Sequence, residues 1–204
     1  MTGGEVTCGS DDNLALAVHR NENGAVERLV KIYQNRLFSY ALRLLQDPFD
    51  AQEVTQDAFL RACHALTRRY DEKKCGDLVL APWLFRITRN LAYSRSSKRR
   101  SRNEVPLPGK GVGGDEIPSN PDEGIRELES RGERQALRTA LRSLGLEERE
   151  LVLLRFLEEM SYAEMASIIG GTDASVRGKV FRALRKLRAS IEKNRRQKCA
   201  VRQS

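Results

Sequence analysis

The 204-residue sequence is poor in the residues from which metal centres and nucleophilic sites are usually built: it has four cysteines and two histidines. Cys8, Cys63, Cys75 and Cys199 are scattered and form no C-x-x-C pair. That spacing suggests neither a zinc site nor a disulfide framework, and reduced thiols are expected. Cys63 and His64 are adjacent, with Cys75 beyond them, but neighbours on a helix point apart and do not converge on one ion. The sequence also lacks a nucleotide-binding glycine loop and any Ser/His/Asp constellation, so no catalytic residue, metal or cofactor is expected. It has no apolar run approaching the roughly 18 residues of a membrane span. The polar, Gly-containing start lacks the apolar core of a signal peptide, so the expected location is cytoplasmic, with no membrane insertion. Alternation of apolar and polar residues is missing as well, which argues against a sheet.

What the sequence does have is charge. It carries 36 Lys and Arg against 28 Asp and Glu, a formal net charge of +8, and that excess favours a polyanionic partner. Arg95, Lys98, Arg99, Arg100 and Arg102 form one basic knot. A second runs from Arg177 through Arg182, Arg185, Lys186 and Arg188 to Arg202. Between them the chain turns acidic, from Glu104 to Glu129.

Apolar spacing sets the organisation. Leu29, Val30, Tyr33, Leu37, Tyr40, Ala41 and Leu44 recur at steps of three and four, the stripe of an amphipathic helix from Val26 to the break at Asp47-Pro48. A second helix is predicted from Asp50, with that carboxylate as cap and Glu53 three residues on, carrying Val54, Ala58, Phe59, Ala62 and Leu66 on one side. A polar loop is expected around Asp71 to Asp77. Pro82 then suits a first helical turn, and Trp83, Leu84, Ile87 and Leu91 stripe a third long helix, with Trp83 expected in the core. Val105 to Gly124 holds four prolines and five glycines and reads as a flexible tether. Helical signal returns near Leu128 and builds through Leu137, Leu141 and Leu144. The predicted fold is all-α, with two small helical domains near 14–100 and 135–195, a linker over 101–134 and a basic tail over 196–204.

The sharpest local signal lies between Leu146 and Leu187. The apolar stretch Leu151 to Leu157 leads into Ser161-Tyr162-Ala163-Glu164, a capping box opening a short helix. Gly170 and Gly171 end it, and Thr172 or Asp173 can cap the next, giving a helix-turn-helix. On the last helix Val176, Val180, Ala183, Leu184, Leu187 and Ile191 fall on one face. The opposite face receives Arg177, Gly178, Phe181, Arg182 and Arg185, with Ser175 and Lys179 at its margins. Guanidinium groups pair bidentately with guanine edges or phosphates, and a ring can lie on a thymine methyl. A solvated basic face accounts for the charge alone, whereas duplex reading accounts for the capping box, the Gly-Gly turn and Phe181 as well.

These residues resemble the extracytoplasmic-function group of the sigma-70 family. Ala51-Gln52-Glu53-Val54-Thr55-Gln56-Asp57-Ala58-Phe59-Leu60-Arg61-Ala62 is similar to that family's second-region helix. Trp83-Leu84-Phe85-Arg86-Ile87-Thr88-Arg89-Asn90-Leu91-Ala92 resembles its W-L-Y-R-I-A-R-N-x-A helix, and Ile169 to Ala183 resembles the end of its fourth region. The resemblance implies a promoter-specificity subunit that binds core RNA polymerase, at the clamp helices of the largest subunit and the flap of the second-largest, and directs it to promoter DNA. It implies polymerase contact at Glu53, Gln56, Asp57 and Phe59. It implies minus-ten contacts at Arg86, Arg89, Asn90 and Ser94, which the basic residues Lys98 and Arg99 extend. It implies minus-thirty-five contacts along the helix of Ser175, Arg177, Gly178, Lys179, Phe181, Arg182 and Arg185, and it leaves room for an anti-sigma factor as a further partner. The loop between Tyr70 and Trp83 is longer than the family form, and Ala174 and Gly178 replace its usual Gly and Ser. A stand-alone helix-turn-helix regulator is the alternative; it would bind duplex DNA without polymerase. An antagonist mimicking a sigma domain would lack the basic reader face.

Overall fold

The computed structural model describes residues 14–101, 137 and 139–201, with the side chains of Arg100 and of 194–201 left aside; the expected linker, Cys8 and Cys199 lie outside the described residues or side chains. Every regular element among them is an α-helix. The chain divides into two compact units, the first holding α1 to α5 and the second most of the residues from 139 onward.

In the first unit α1 spans Leu14–His19, α2 Ala25–Leu45, α3 Pro48–Arg68, α4 Glu72–Gly76 and α5 Leu80–Ser101. The core is the set of stripes read from the spacing: Leu29, Tyr33, Leu37, Tyr40 and Leu44 of α2 are buried against Ala51, Val54, Ala58, Ala62 and Leu66 of α3 and Leu84, Phe85 and Ala92 of α5. Tyr40 and Phe85 meet edge to face, with centroids 5.2 Å apart, a geometry worth about 0.5–1.5 kcal/mol beyond burial. The alanines of α3 let its neighbours approach closely.

Helix α3 begins earlier than its spacing suggested. Asp47 is the cap, its carboxylate accepting from the N–H groups of Phe49 at 3.0 Å and Asp50 at 3.1 Å, and Pro48 takes the first helical position, where its missing N–H costs nothing. Asp50 is thereby released for another role. The two short helices hold the other end of α3. His19 Nδ1 donates to the Leu66 carbonyl at 2.8 Å, and the buried Cys75 of α4 points its thiol at the same oxygen from 3.9 Å. The segment expected as a polar loop therefore contains one helical turn, capped by Asp71 through the Lys74 N–H.

The C-terminal part of the chain starts with helical residues 139–143 and continues with α6 (Leu146–Phe156), α7 (Tyr162–Ile169) and α8 (Asp173–Val201). Its buried set includes Ala140, Leu144, Leu151 to Leu154, Met160, Met165, Val176, Val180, Ala183 and Leu187. Arg149 is buried among these and donates to the carbonyls of Leu141 at 3.0 Å, Arg142 at 3.3 Å and Leu144 at 3.1 Å. A helix end has orphan carbonyls, and this guanidinium supplies donors there; of the three, the Leu141 oxygen also accepts from the Leu144 N–H at 3.2 Å. Helix α8 runs through Val201, past the expected end of the domain near 195.

Candidate nucleic-acid interface

The turn between α7 and α8 is built by its residue types. Ser161 and Glu164 form the expected capping box: the Glu164 N–H reaches Ser161 Oγ at 3.2 Å, and the Ser161 N–H reaches Glu164 Oε2 at 2.8 Å. Gly170 and Gly171 have φ of 91° and 103°, left-handed values that a side chain resists. Thr172, one of the two candidate caps, accepts from the Ser175 N–H at 3.3 Å.

Beyond that turn α8 sorts its residues as the spacing requires. Val176, Val180, Ala183 and Leu187 are buried, while Leu184 and Ile191 are half-buried. On the other side Ser175, Arg177, Phe181, Arg182 and Arg185 are exposed, with Gly178 and Lys179 half-buried at the edge. Phe181 is 63% exposed. On this face the ring stands among exposed guanidinium groups, where it can lie on a thymine methyl. A Cβ built at Gly178 would have as its nearest neighbour Arg182 Nη1, 4.0 Å away, an ordinary contact that leaves that guanidinium where it is.

The first unit offers a second surface. Arg86, Asn90, Ser94 and Lys98 are four residues apart on α5 and all exposed, so they form one polar stripe along the helix. The other two expected residues go elsewhere. Arg89 is half-buried with its guanidinium 4.4 Å from the Tyr93 ring centroid. The Arg99 side chain is 17% exposed and pairs with Asp50 at 3.1 Å and Asp47 at 3.3 Å. Arg95, exposed on the same helix, pairs with Asp50 at 2.7 Å and Glu53 at 2.6 Å. Asp50, left free by Asp47, thus ties the C-terminal part of α5 to the start of α3, and its hydrogen bond holds the Arg95 guanidinium above its ordinary pKa.

Between α3 and α5 lies an open groove of about 620 Å³, whose walls include Leu60, Arg61, His64, Tyr70, Trp83 and Asn90. Trp83, expected in the core, is only half-buried: its Nε1 donates to the Tyr70 hydroxyl at 3.2 Å, and the two ring centroids lie 5.7 Å apart. Two aromatic rings, a guanidinium-bearing rim and the Asn90 amide give the groove the means to stack and hydrogen-bond a planar heterocycle. Sequence spacing missed it because its walls come from helices about twenty residues apart. On α3, Glu53, Gln56 and Asp57 are exposed and Phe59 is half-buried. Leu60 beside them, 69% exposed, is an apolar surface residue that the stripe pattern did not single out.

Cys63 and Cys75 are free thiols, and burial raises both pKa values. Among the described residues no helix is long and apolar enough to cross a membrane.

A family model described as sigma-70 region 2 matches residues 29–102, and one described as sigma-70, region 4 matches residues 134–187. The extracytoplasmic-function RNA polymerase sigma factor BldN of Streptomyces coelicolor is 30% identical over 167 residues, covering 81% of this chain and 60% of that protein. The chain therefore spans less than two thirds of that relative's length. The RNA polymerase sigma-H factor of Pseudomonas aeruginosa is 29% identical over 181 residues, covering 85% of this chain and 89% of the relative. Among solved structures, CnrH in complex with the cytosolic domain of CnrY matches with a TM-score of 0.62 at 25% identity, covering 89% of this chain and 97% of that one.

Proposed function

Because the chain belongs to the sigma-70 family, in its extracytoplasmic-function group, we propose that it binds core RNA polymerase and directs it to promoters, performing no bond chemistry itself and acting in the cytoplasm. The observation that carries this reading is the pairing of two nucleic-acid surfaces on one chain: the exposed reader face of α8 and the groove and polar stripe of the first unit. A stand-alone regulator has use for the first alone.

In this reading α8 reads the minus-thirty-five element in the major groove, through Arg177, Phe181, Arg182 and Arg185, with Ser175, Gly178 and Lys179 alongside. The stripe of Arg86, Asn90, Ser94 and Lys98 follows the non-template strand at the minus-ten element. An unstacked base enters the groove beside Trp83 and Asn90. Arg89 and Arg99 act less directly, since Arg89 lies on Tyr93 and Arg99 is held by Asp47 and Asp50. Gln56 and Asp57, with Phe59 and Leu60 beside them, dock on the clamp helices of the largest subunit; Glu53 already holds Arg95 and contributes in part. The apolar helix α6 receives the flap of the second-largest subunit. CnrH, to which this chain is similar, is seen in complex with the cytosolic domain of CnrY, which supports a further protein partner for this chain, proposed as an anti-sigma factor.

Run-off transcription with purified core enzyme on genomic promoter fragments tests the proposal. Specific transcripts are expected only with core enzyme and this chain together. Replacing Gln56 with Ala and Asp57 with Arg should weaken co-purification with core while leaving helicity unchanged, because both side chains are exposed. Tight promoter binding by the chain alone, with no effect on transcription by core, would favour the stand-alone regulator.

A further inference from the structure

We propose that Tyr162 is a positioning residue for Arg177, holding that guanidinium ready for one base pair of the upstream element; the proposal rests on the reading of α8 as the promoter-reading helix. Tyr162 opens α7, and the capping box of Ser161 and Glu164 fixes the backbone from which its ring projects. Two guanidinium groups approach that half-buried ring: Arg155 from α6 at 5.0 Å from the centroid and Arg177 from α8 at 5.2 Å. Arg155 is itself anchored, donating through Nη1 to the Met160 carbonyl at 2.7 Å. The ring therefore sits on a fixed base at one side of the reader face.

Arg177 is exposed, and an exposed arginine ordinarily spreads over many rotamers that binding must then select. Contact with a ring face narrows that choice without using any N–H group, because the attraction is between the cation and the ring quadrupole. All five donors remain for a bidentate pair with guanine or for a phosphate. The neighbouring Arg155 adds positive charge at the same ring, so Arg177 gains by swinging its charge toward a polyanion. Arg185, also exposed on the reader side, has no such ring near it among the described contacts.

The test uses the full chain in holoenzyme with purified core, transcribing a promoter library randomised across the minus-thirty-five element. Arg177→Ala identifies the base pair that Arg177 reads. Tyr162→Phe, which keeps the ring and loses the hydroxyl, should retain the wild-type preference at that pair. Tyr162→Leu should relax it by roughly two- to fivefold, the worth of one exposed cation–π contact, and should add nothing in the Arg177→Ala background. An even loss across all sequences from Tyr162→Leu, a loss of preference from Tyr162→Phe, or full additivity with Arg177→Ala would each overturn the positioning role. If Arg177→Ala itself shifts no base preference while transcription still depends on the chain, Arg177 is not a reader and the proposal falls, but the sigma-factor reading stands. A second measurement needs no variant: ¹⁵N relaxation in the free chain should show Nε–Hε of Arg177 more ordered than that of Arg185. Equal order at the two positions would refute it.

Discussion

Arg149 occupies a place that apolar spacing gives no warning of, since it is followed by Glu150, also buried, before the apolar run Leu151 to Leu154. Its burial lowers the guanidinium pKa, with the Arg142 charge adding to the effect. Three backbone carbonyls accept from it. Removing a charged donor from buried acceptors typically costs about 1.5–3 kcal/mol, so Arg149→Met should destabilise the second unit by that amount and lower its thermal midpoint without altering the first. One residue earlier, Glu148 accepts from Lys186 and from the Gly145 N–H at 3.3 Å. Lys186 first, and then the Gly145 amide, holds this carboxyl below its ordinary pKa. A carboxyl lowered on folding stabilises above its unfolded pKa of about 4.3, and the contribution is lost as pH falls through the folded value. Glu148→Gln should therefore be less stable than the native chain at neutral pH, and the gap should close on acidification; a gap that is constant from neutral pH to pH 3 would remove the linkage.

At the scale of elements, a glycine of the reader turn and one within the reader helix respond oppositely to the same chemical change. Gly178 lies within α8, where an added Cβ would meet only Arg182 Nη1 at 4.0 Å, so Gly178→Ala should stabilise the helix by roughly 0.5–1 kcal/mol. Gly170 has φ of 91°, and Gly170→Ala should destabilise by about 1 kcal/mol or more. Thermal unfolding of the two variants separates them by sign. The long helices were legible because each shows a stripe over several turns: Leu29, Tyr33, Leu37, Tyr40 and Leu44 are all buried as their spacing requires. The start of α3 was not. Asp47 and Asp50 both offer a capping carboxylate; Asp47 takes the cap with Pro48 in the first turn, and Asp50 turns instead to Arg95 and Arg99. Helices α1 and α4, six and five residues long, are too short for a period to declare itself, and they exist by packing, α1 on α3 and α4 on α1. The reader face of α8 was legible from a single helix. The groove, the Arg155 and Tyr162 support of Arg177 and the diversion of Arg99 each join residues far apart in sequence, so no local pattern could reveal them.

For the whole molecule, each of the two units buries an apolar set of its own, and each is expected to fold without the other. Units of about 60–90 residues fold alone with modest stability. Residues 1–104 and 130–204 expressed separately should therefore each be helical by circular dichroism and melt cooperatively. Transcription should distinguish folding from linkage. A tether makes the second binding event intramolecular, with an effective concentration near millimolar for a short flexible connection, whereas separate pieces at micromolar concentration lose that advantage. An equimolar mixture of the two fragments with core enzyme should thus give little specific transcript at micromolar concentration and recover as the fragments are raised. Restoring the join with a Gly-Ser stretch of similar length in place of Val105 to Gly124 should return most of the activity, because closure cost changes slowly with linker length and composition. Full activity from the unlinked mixture at low concentration would show that one unit alone supplies the promoter contacts; no activity from the Gly-Ser version would show that the native linker sequence makes contacts of its own.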